Sequence, residues 1–101
     1  IVPMMSMGAR GVIFVWANVA PRAVADLTAK CLAGDFAAAA KIQAEAYSLI
    51  KALFIETNPM PVKEAMNMMG LSVGEVRPPL CELLPENAAV LRSELKKAGL
   101  L

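Results

Sequence analysis

Between Phe54 and Ala65 the chain reads FIETNPMPVKEA, and the Asn58-Pro59-Met60-Pro61 step within it restricts the possible folds more than any other stretch. Proline has no amide hydrogen, holds φ near about −65° and biases the residue before it away from the helical region. Two prolines one residue apart, behind an asparagine, therefore stop one helix, hold an extended elbow and start the next helix in a fixed direction. Asn58 is expected to cap that next helix, with Val62, Ala65, Met66 and Met69 on its inner side and Gly70 at its end. The elbow is a hinge of defined geometry, not a flexible linker.

Upstream, Met4 to Ala9 reads as a short apolar helix end followed by the glycine-bracketed turn Gly8-Ala9-Arg10-Gly11. Val12-Ile13-Phe14-Val15-Trp16 then has the β-branched and aromatic content, without polar alternation, of a strand buried on both faces. A lone strand must pair with another copy or with a missing sheet, or be remodelled into helix. Asn18 is expected to cap a helix with Pro21 in its first turn, Val24, Leu27, Thr28 and Cys31 at helical spacing, and Gly34 just past its end. Asp35 caps the following helix, which runs to about Phe54. Its inner face is expected to carry Phe36, Ala39, Ala40, Gln43, Tyr47, Ile50 and Phe54, with Ile42, Leu49 and Leu53 adjoining. Leu71 to Pro85 contains Pro78-Pro79 and has no helical period, so it is expected to cross the surface in an ordered, extended form. Glu86 to Ala98 closes the chain as a helix with Val90, Leu91, Leu95 and Ala98 inward. The fold class is mainly α, with at most one short strand, Val12–Trp16.

A chain of 101 residues allows one domain and a modest core. Hydrophobic residues make up 57% of it, above the usual share of about 45–50%, and mean hydropathy is +0.54. A paired apolar face follows, either on a missing part of the same protein or on other copies of this one. Net charge is +1, and only Lys96-Lys97 places two cations side by side, so nothing suggests nucleic acid. The apolar run Gly11 to Ala17 is far shorter than the roughly 20 residues of a membrane span. Cys31 and Cys81 are too few for a disulfide framework, so reduced, mostly buried thiols and a cytoplasmic location are expected. With no histidine, a zinc site or a Ser-His-Asp hydrolase within the chain is excluded. No metal and no cofactor is implied. Isoleucine at position 1 leads to the expectation of a longer parent or a processed chain.

Three stretches resemble the dihydrodipicolinate synthases, pyruvate-dependent class I aldolases of the N-acetylneuraminate lyase superfamily. Gly11-Val12-Ile13-Phe14-Val15-Trp16-Ala17-Asn18-Val19-Ala20-Pro21 is similar to their last barrel strand and the start of their last barrel helix. Asn58-Pro59-Met60-Pro61-Val62-Lys63 with Gly70-Leu71, and then Arg77-Pro78-Pro79-Leu80 with Lys97-Ala98-Gly99-Leu100-Leu101, resemble their helical C-terminal region. Order and spacing over most of the chain carry the likeness. It implies a (β/α)8 barrel enzyme of which this chain is the helical C-terminal portion. Residues 1–34 would hold the last turn of one barrel helix, the last strand and the last barrel helix, and 35–101 the helical appendage, in a single compact unit. Where Phe14 and Trp16 stand, the synthases usually carry small hydroxyl residues. The absence of a hydroxyl at Val15 favours the synthase branch over the sialic-acid lyases.

In that family a lysine forms a Schiff base with pyruvate, and the enamine attacks aspartate semialdehyde in lysine biosynthesis. By the resemblance the lysine, and the tyrosine, threonine and arginine that serve it, precede Ile1, so no catalytic residue falls in this chain and it is expected to be inactive alone. Lys30, Lys41, Lys51, Lys63, Lys96 and Lys97 are expected on the solvated faces of helices, unlike the desolvated amine of a Schiff-base lysine. The last strand lines the pyruvate pocket in the family mainly through its backbone, and side-chain alternation would turn Ile13 and Val15 inward and Phe14 and Trp16 outward. Ile13 and Val15 are the candidate substrate-binding residues. Met4, Met5 and Met7 fall where the family makes a contact between dimers, which suits an adaptable apolar interface. Expected partners are a homo-oligomer or the missing N-terminal barrel portion, with pyruvate as small-molecule substrate only in the complete enzyme, and neither nucleic acid nor membrane. Two other readings are a non-catalytic, self-associating helical module and another pyruvate aldolase of the superfamily.

Overall fold

Prolines start most of the helices. In the computed structural model, which describes residues 1–101, the chain runs through α1 (Val2–Ser6), a 3₁₀ turn (Val15–Asn18), α2 (Pro21–Leu32), α3 (Phe36–Ala52), α4 (Met60–Met68) and α5 (Pro85–Lys97). Helices α1, α2, α4 and α5 each carry proline in their first two positions and have no side-chain cap. The missing proline N–H costs nothing there, because the first amides of a helix have no partner inside it. Asn18 and Asn58 are accordingly not caps. Ala20 and Pro59 occupy the cap positions, and the Asn18 Nδ2 instead donates to the Val15 carbonyl at 3.0 Å. The proline-free start of α3 is the one that uses its expected cap, with Asp35 Oδ1 accepting the Ala38 N–H at 3.1 Å.

Three helix ends share one pattern. Past α2, α4 and α5 the chain turns through Gly34 (φ 82°), Gly70 (φ 83°) and Gly99 (φ 73°). In each case the residue after the glycine donates back to the helix: Asp35 to Lys30, Leu71 to Met66 and Leu100 to Leu95, at 2.9 to 3.0 Å. This is the Schellman closure, for which the left-handed backbone favours glycine.

The chain has helices and no strand. Val12–Trp16, expected as a strand, departs from that reading. Phe14 keeps extended backbone (φ −150°, ψ 140°), but the segment has no neighbour to exchange ladder bonds with, and from Val15 it winds into the 3₁₀ turn. Ala17 there donates to Phe14 at 3.0 Å, and Val19 to Trp16 at 3.2 Å. Backbone groups that cannot find a sheet partner are satisfied locally instead.

Two compact units divide the chain, Ile1–Tyr47 and Ser48–Leu101. In the first, α2 packs against α1 and the 3₁₀ turn, burying Met5, Trp16, Val19, Val24, Leu27, Cys31 and Ala39. The Val2 N–H is accepted by Gln43 Oε1 at 2.9 Å, joining α1 to α3. In the second, α4 packs against α5, and Leu49, Ala52, Leu53, Met60, Pro61, Val62, Ala65, Leu91 and Leu95 are buried. Full burial of a leucine contributes roughly 1.5–3 kcal/mol, so Leu53, Leu91 and Leu95, each 0% exposed, are the principal anchors of this half. On α3 the buried positions are Ala39, Leu49 and Ala52, with Leu53 just past its end, while Ala40, Tyr47 and Phe54, expected on the inner face, are exposed. Val90 of α5, and Ala98 just past its end, also face solvent.

Candidate functional site

Ile13 and Val15 sit on either side of the change from extended chain to 3₁₀ turn. Ile13 is fully exposed, Val15 is half-buried and Phe14 is half-buried. Trp16, the next residue, is only 2% exposed. The four residues therefore run from solvent into the core of Ile1–Tyr47, with Ile13 at the outer end. The Trp16 Nε1 is buried without a hydrogen-bond partner, whereas a buried N–H normally finds an acceptor.

All six lysines lie on helices. Lys30, Lys41, Lys51, Lys96 and Lys97 are exposed, as expected of solvated faces. Lys63 differs: it is half-buried, and its Nζ donates to the Glu75 carbonyl at 2.6 Å. One turn further along α4, Asn67 donates through Nδ2 to the Gly74 carbonyl at 3.0 Å and accepts the Val73 N–H on Oδ1 at 2.9 Å. These two side chains and the segment that follows them line a recess of about 380 Å³, which also takes in Glu64, Pro78, Leu80 and Glu82. Glu56, in the elbow, accepts the Leu84 N–H at 2.9 Å and Asn87 Nδ2 at 3.0 Å on the same oxygen. It thereby brings a carboxylate to the start of α5, where the helix dipole favours negative charge.

Sequence reasoning missed Lys63, Asn67 and Glu56 as structural polar groups. A signal was available for Asn67: asparagine is unfavourable inside a helix unless its amide has other work. Cys31 is buried as expected, whereas Cys81 is exposed, and both are free thiols. No three His, Cys, Asp or Glu side chains are gathered as a metal site, and no helix is long and apolar enough to cross a membrane.

The model of the Dihydrodipicolinate synthetase family matches residues 1–98. The chain belongs to that family. A 4-hydroxy-tetrahydrodipicolinate synthase of Lachnoclostridium phytofermentans is 48% identical over 101 residues, which is 100% of this chain and 34% of that protein. The crystal structure of dihydrodipicolinate synthase from Aquifex aeolicus superposes with a TM-score of 0.95 at 50% identity, covering 98% of this chain and 34% of that one. A monomeric dihydrodipicolinate synthase variant superposes at 0.94 with 39% identity, over 99% and 33% of the two chains. The chain spans about a third of the length of these synthases and corresponds to the helical C-terminal part of their barrel fold.

Proposed function

We propose that this chain is the C-terminal helical part of a dihydrodipicolinate synthase-type lyase, which condenses pyruvate with aspartate semialdehyde in lysine biosynthesis. In that reaction a lysine amine adds to the pyruvate carbonyl and water leaves. The resulting imine loses a C3 proton to become an enamine, whose C3 attacks the aldehyde carbon as the aldehyde oxygen takes up a proton. The reading rests above all on the family match over residues 1–98. Residues 1–34 would supply the closing strand and last helix of the barrel, and 35–101 the appendage. Ile13 and Val15 would line the pyruvate pocket once the other strands are beside them, and the full exposure of Ile13 supports that role.

The Schiff-base lysine is proposed to lie outside this chain. Such an amine needs a desolvated pocket. Here five lysines are exposed, and Lys63 spends its Nζ on a main-chain carbonyl. Borohydride trapping with pyruvate, read by mass, tests this directly. The 101-residue chain should gain no adduct, and adding an N-terminal barrel portion should place one on that portion only. An adduct on any lysine of this chain would overturn the proposal.

A second reading, a non-catalytic module that self-associates, is favoured by Met4, Met7 and Ile13, which are 68%, 88% and 105% exposed. Size exclusion across a concentration series decides it. A monomer at every concentration that binds no apolar dye would remove this reading.

A further inference from the structure

The segment between α4 and α5 is attached unlike any other stretch of Ser48–Leu101. From Ser72 to Leu83 no residue is fully buried. No main-chain hydrogen bond joins it to a helix, and its own bond, Leu80 N–H to the Arg77 carbonyl at 3.0 Å, closes a turn within it. Its ties are made by side chains. Asn67 holds two consecutive residues, donating to Gly74 and accepting from Val73, much as one rung of a sheet ladder would. Lys63 holds Glu75, and Glu56 holds Leu84 at the far end. Between Gly70 and Gly74, Ser72 sits at φ 52°, a left-handed conformation that disfavours a residue with a β-carbon and persists only where its surroundings impose it.

Segments with little buried apolar surface and few, exposed hydrogen bonds open at far lower free energy than the core they cover. We infer that residues 72–83 form a strap that opens as one unit while α4 and α5 stay folded, and that Asn67 is its clasp. Opening removes the roof of the recess over α4 and bares the flank of that helix carrying Met60, Lys63 and Glu64, which line it.

Native-state hydrogen exchange on the full 101-residue chain tests the inference. The Val73 and Leu84 amides should exchange at matched opening rates, well ahead of the Leu91 and Leu95 amides. Asn67→Ala removes two hydrogen bonds and should speed both amides by about tenfold, with α5 changed less than twofold. Lys63→Met touches neither amide, yet it should speed both, because a strap that opens as a unit responds at every point to the loss of any tie. Protection of Val73 equal to that of Leu95 would overturn the inference. So would equal acceleration of α5 in Asn67→Ala, or strap rates unchanged in Lys63→Met.

Discussion

In Ile1–Tyr47 the largest buried side chain is Trp16, with its Nε1 unpartnered, while Met4, Met7 and Ile13 of the same half stay in solvent. In Ser48–Leu101 the leucines at 53, 91 and 95 are shut away completely, and the main-chain groups that no helix can serve are met by Glu56, Lys63 and Asn67. The second half carries the partners for its irregular segment within its own sequence. The first half winds its apolar run into a 3₁₀ turn closed by its own main-chain bonds, burying Trp16 while Ile13 stays bare. Ile1–Tyr47 is the more apolar half, 31 hydrophobic residues of 47 against 27 of 54, and it leaves the most exposed large apolar side chains, Ile13, Met7 and Met4, while the second half matches the polar groups of its irregular segment.

Emptying each core in turn tests the contrast most severely. Trp16→Ala should cost about 3–5 kcal/mol, seen as loss of amide protection in α2, with α5 affected at least tenfold less. Leu95→Ala should cost somewhat less, about 2–4 kcal/mol, with the larger loss now in α4 and α5. If both variants strip protection evenly from the whole chain, the two halves do not differ in the way described. A smaller effect comes from paired glycines. Gly34 and Gly70 have nearly the same positive φ and open space around the Cβ position, so Gly34→Ala and Gly70→Ala should each cost about 1 kcal/mol from backbone strain alone. Urea melts monitored in α2 for the first and α4 for the second check this. Gly11, which lacks a positive φ and has equally open surroundings, should tolerate alanine with no loss.

The smallest effect is one of pH and belongs to the second half. The Lys97 ammonium, 2.8 Å from Glu94 Oε1, and then the Ser48 hydroxyl hold the Glu94 carboxyl below its ordinary value of 4.5. A carboxyl lowered in the folded state stabilises at pH above its unfolded value, and that contribution disappears as pH falls through the folded one. Stability should therefore carry a shallow Glu94-dependent decline only below about pH 4.5, and Glu94→Gln should flatten it. Because Lys97 is 68% exposed, the pair is screened and salt should shrink the decline.

Most of the helical order was legible in the sequence because it rests on local chemistry. Gly34, Gly70 and Gly99 mark helix ends through a backbone conformation that favours glycine, and Asp35 marks a start through its own side chain. Asn18 and Asn58 misled because a proline close behind each already supplies a compatible helix start, leaving the asparagine outside the helix. The α3 stripe misled at Tyr47 and Phe54 because the packing that selects one flank of a broadly apolar helix is not encoded by periodicity. Val12–Trp16 forms no strand in this chain for a related reason: β-branched content reports willingness to pair, and pairing needs a neighbour. The ties from Glu56, Lys63 and Asn67 to main-chain groups 28, 12 and 6 to 7 positions away left no periodic trace at all. For the candidate site, Ile13 and Val15 are expected from the family likeness alone, and the burial of Trp16 beside a bare Ile13 emerges only from the three-dimensional packing.

The single tryptophan of the chain lies in the Val12–Trp16 run, and Tyr47, the single tyrosine, closes the same half. Ultraviolet emission from this polypeptide is therefore a one-sided instrument. It shifts to the red when the indole meets water and says nothing of Ser48–Leu101, whose aromatic content is Phe54. An optical melt and a circular dichroism melt report on different populations of residues, and any gap between their midpoints measures, without labels, how separately the two halves come apart.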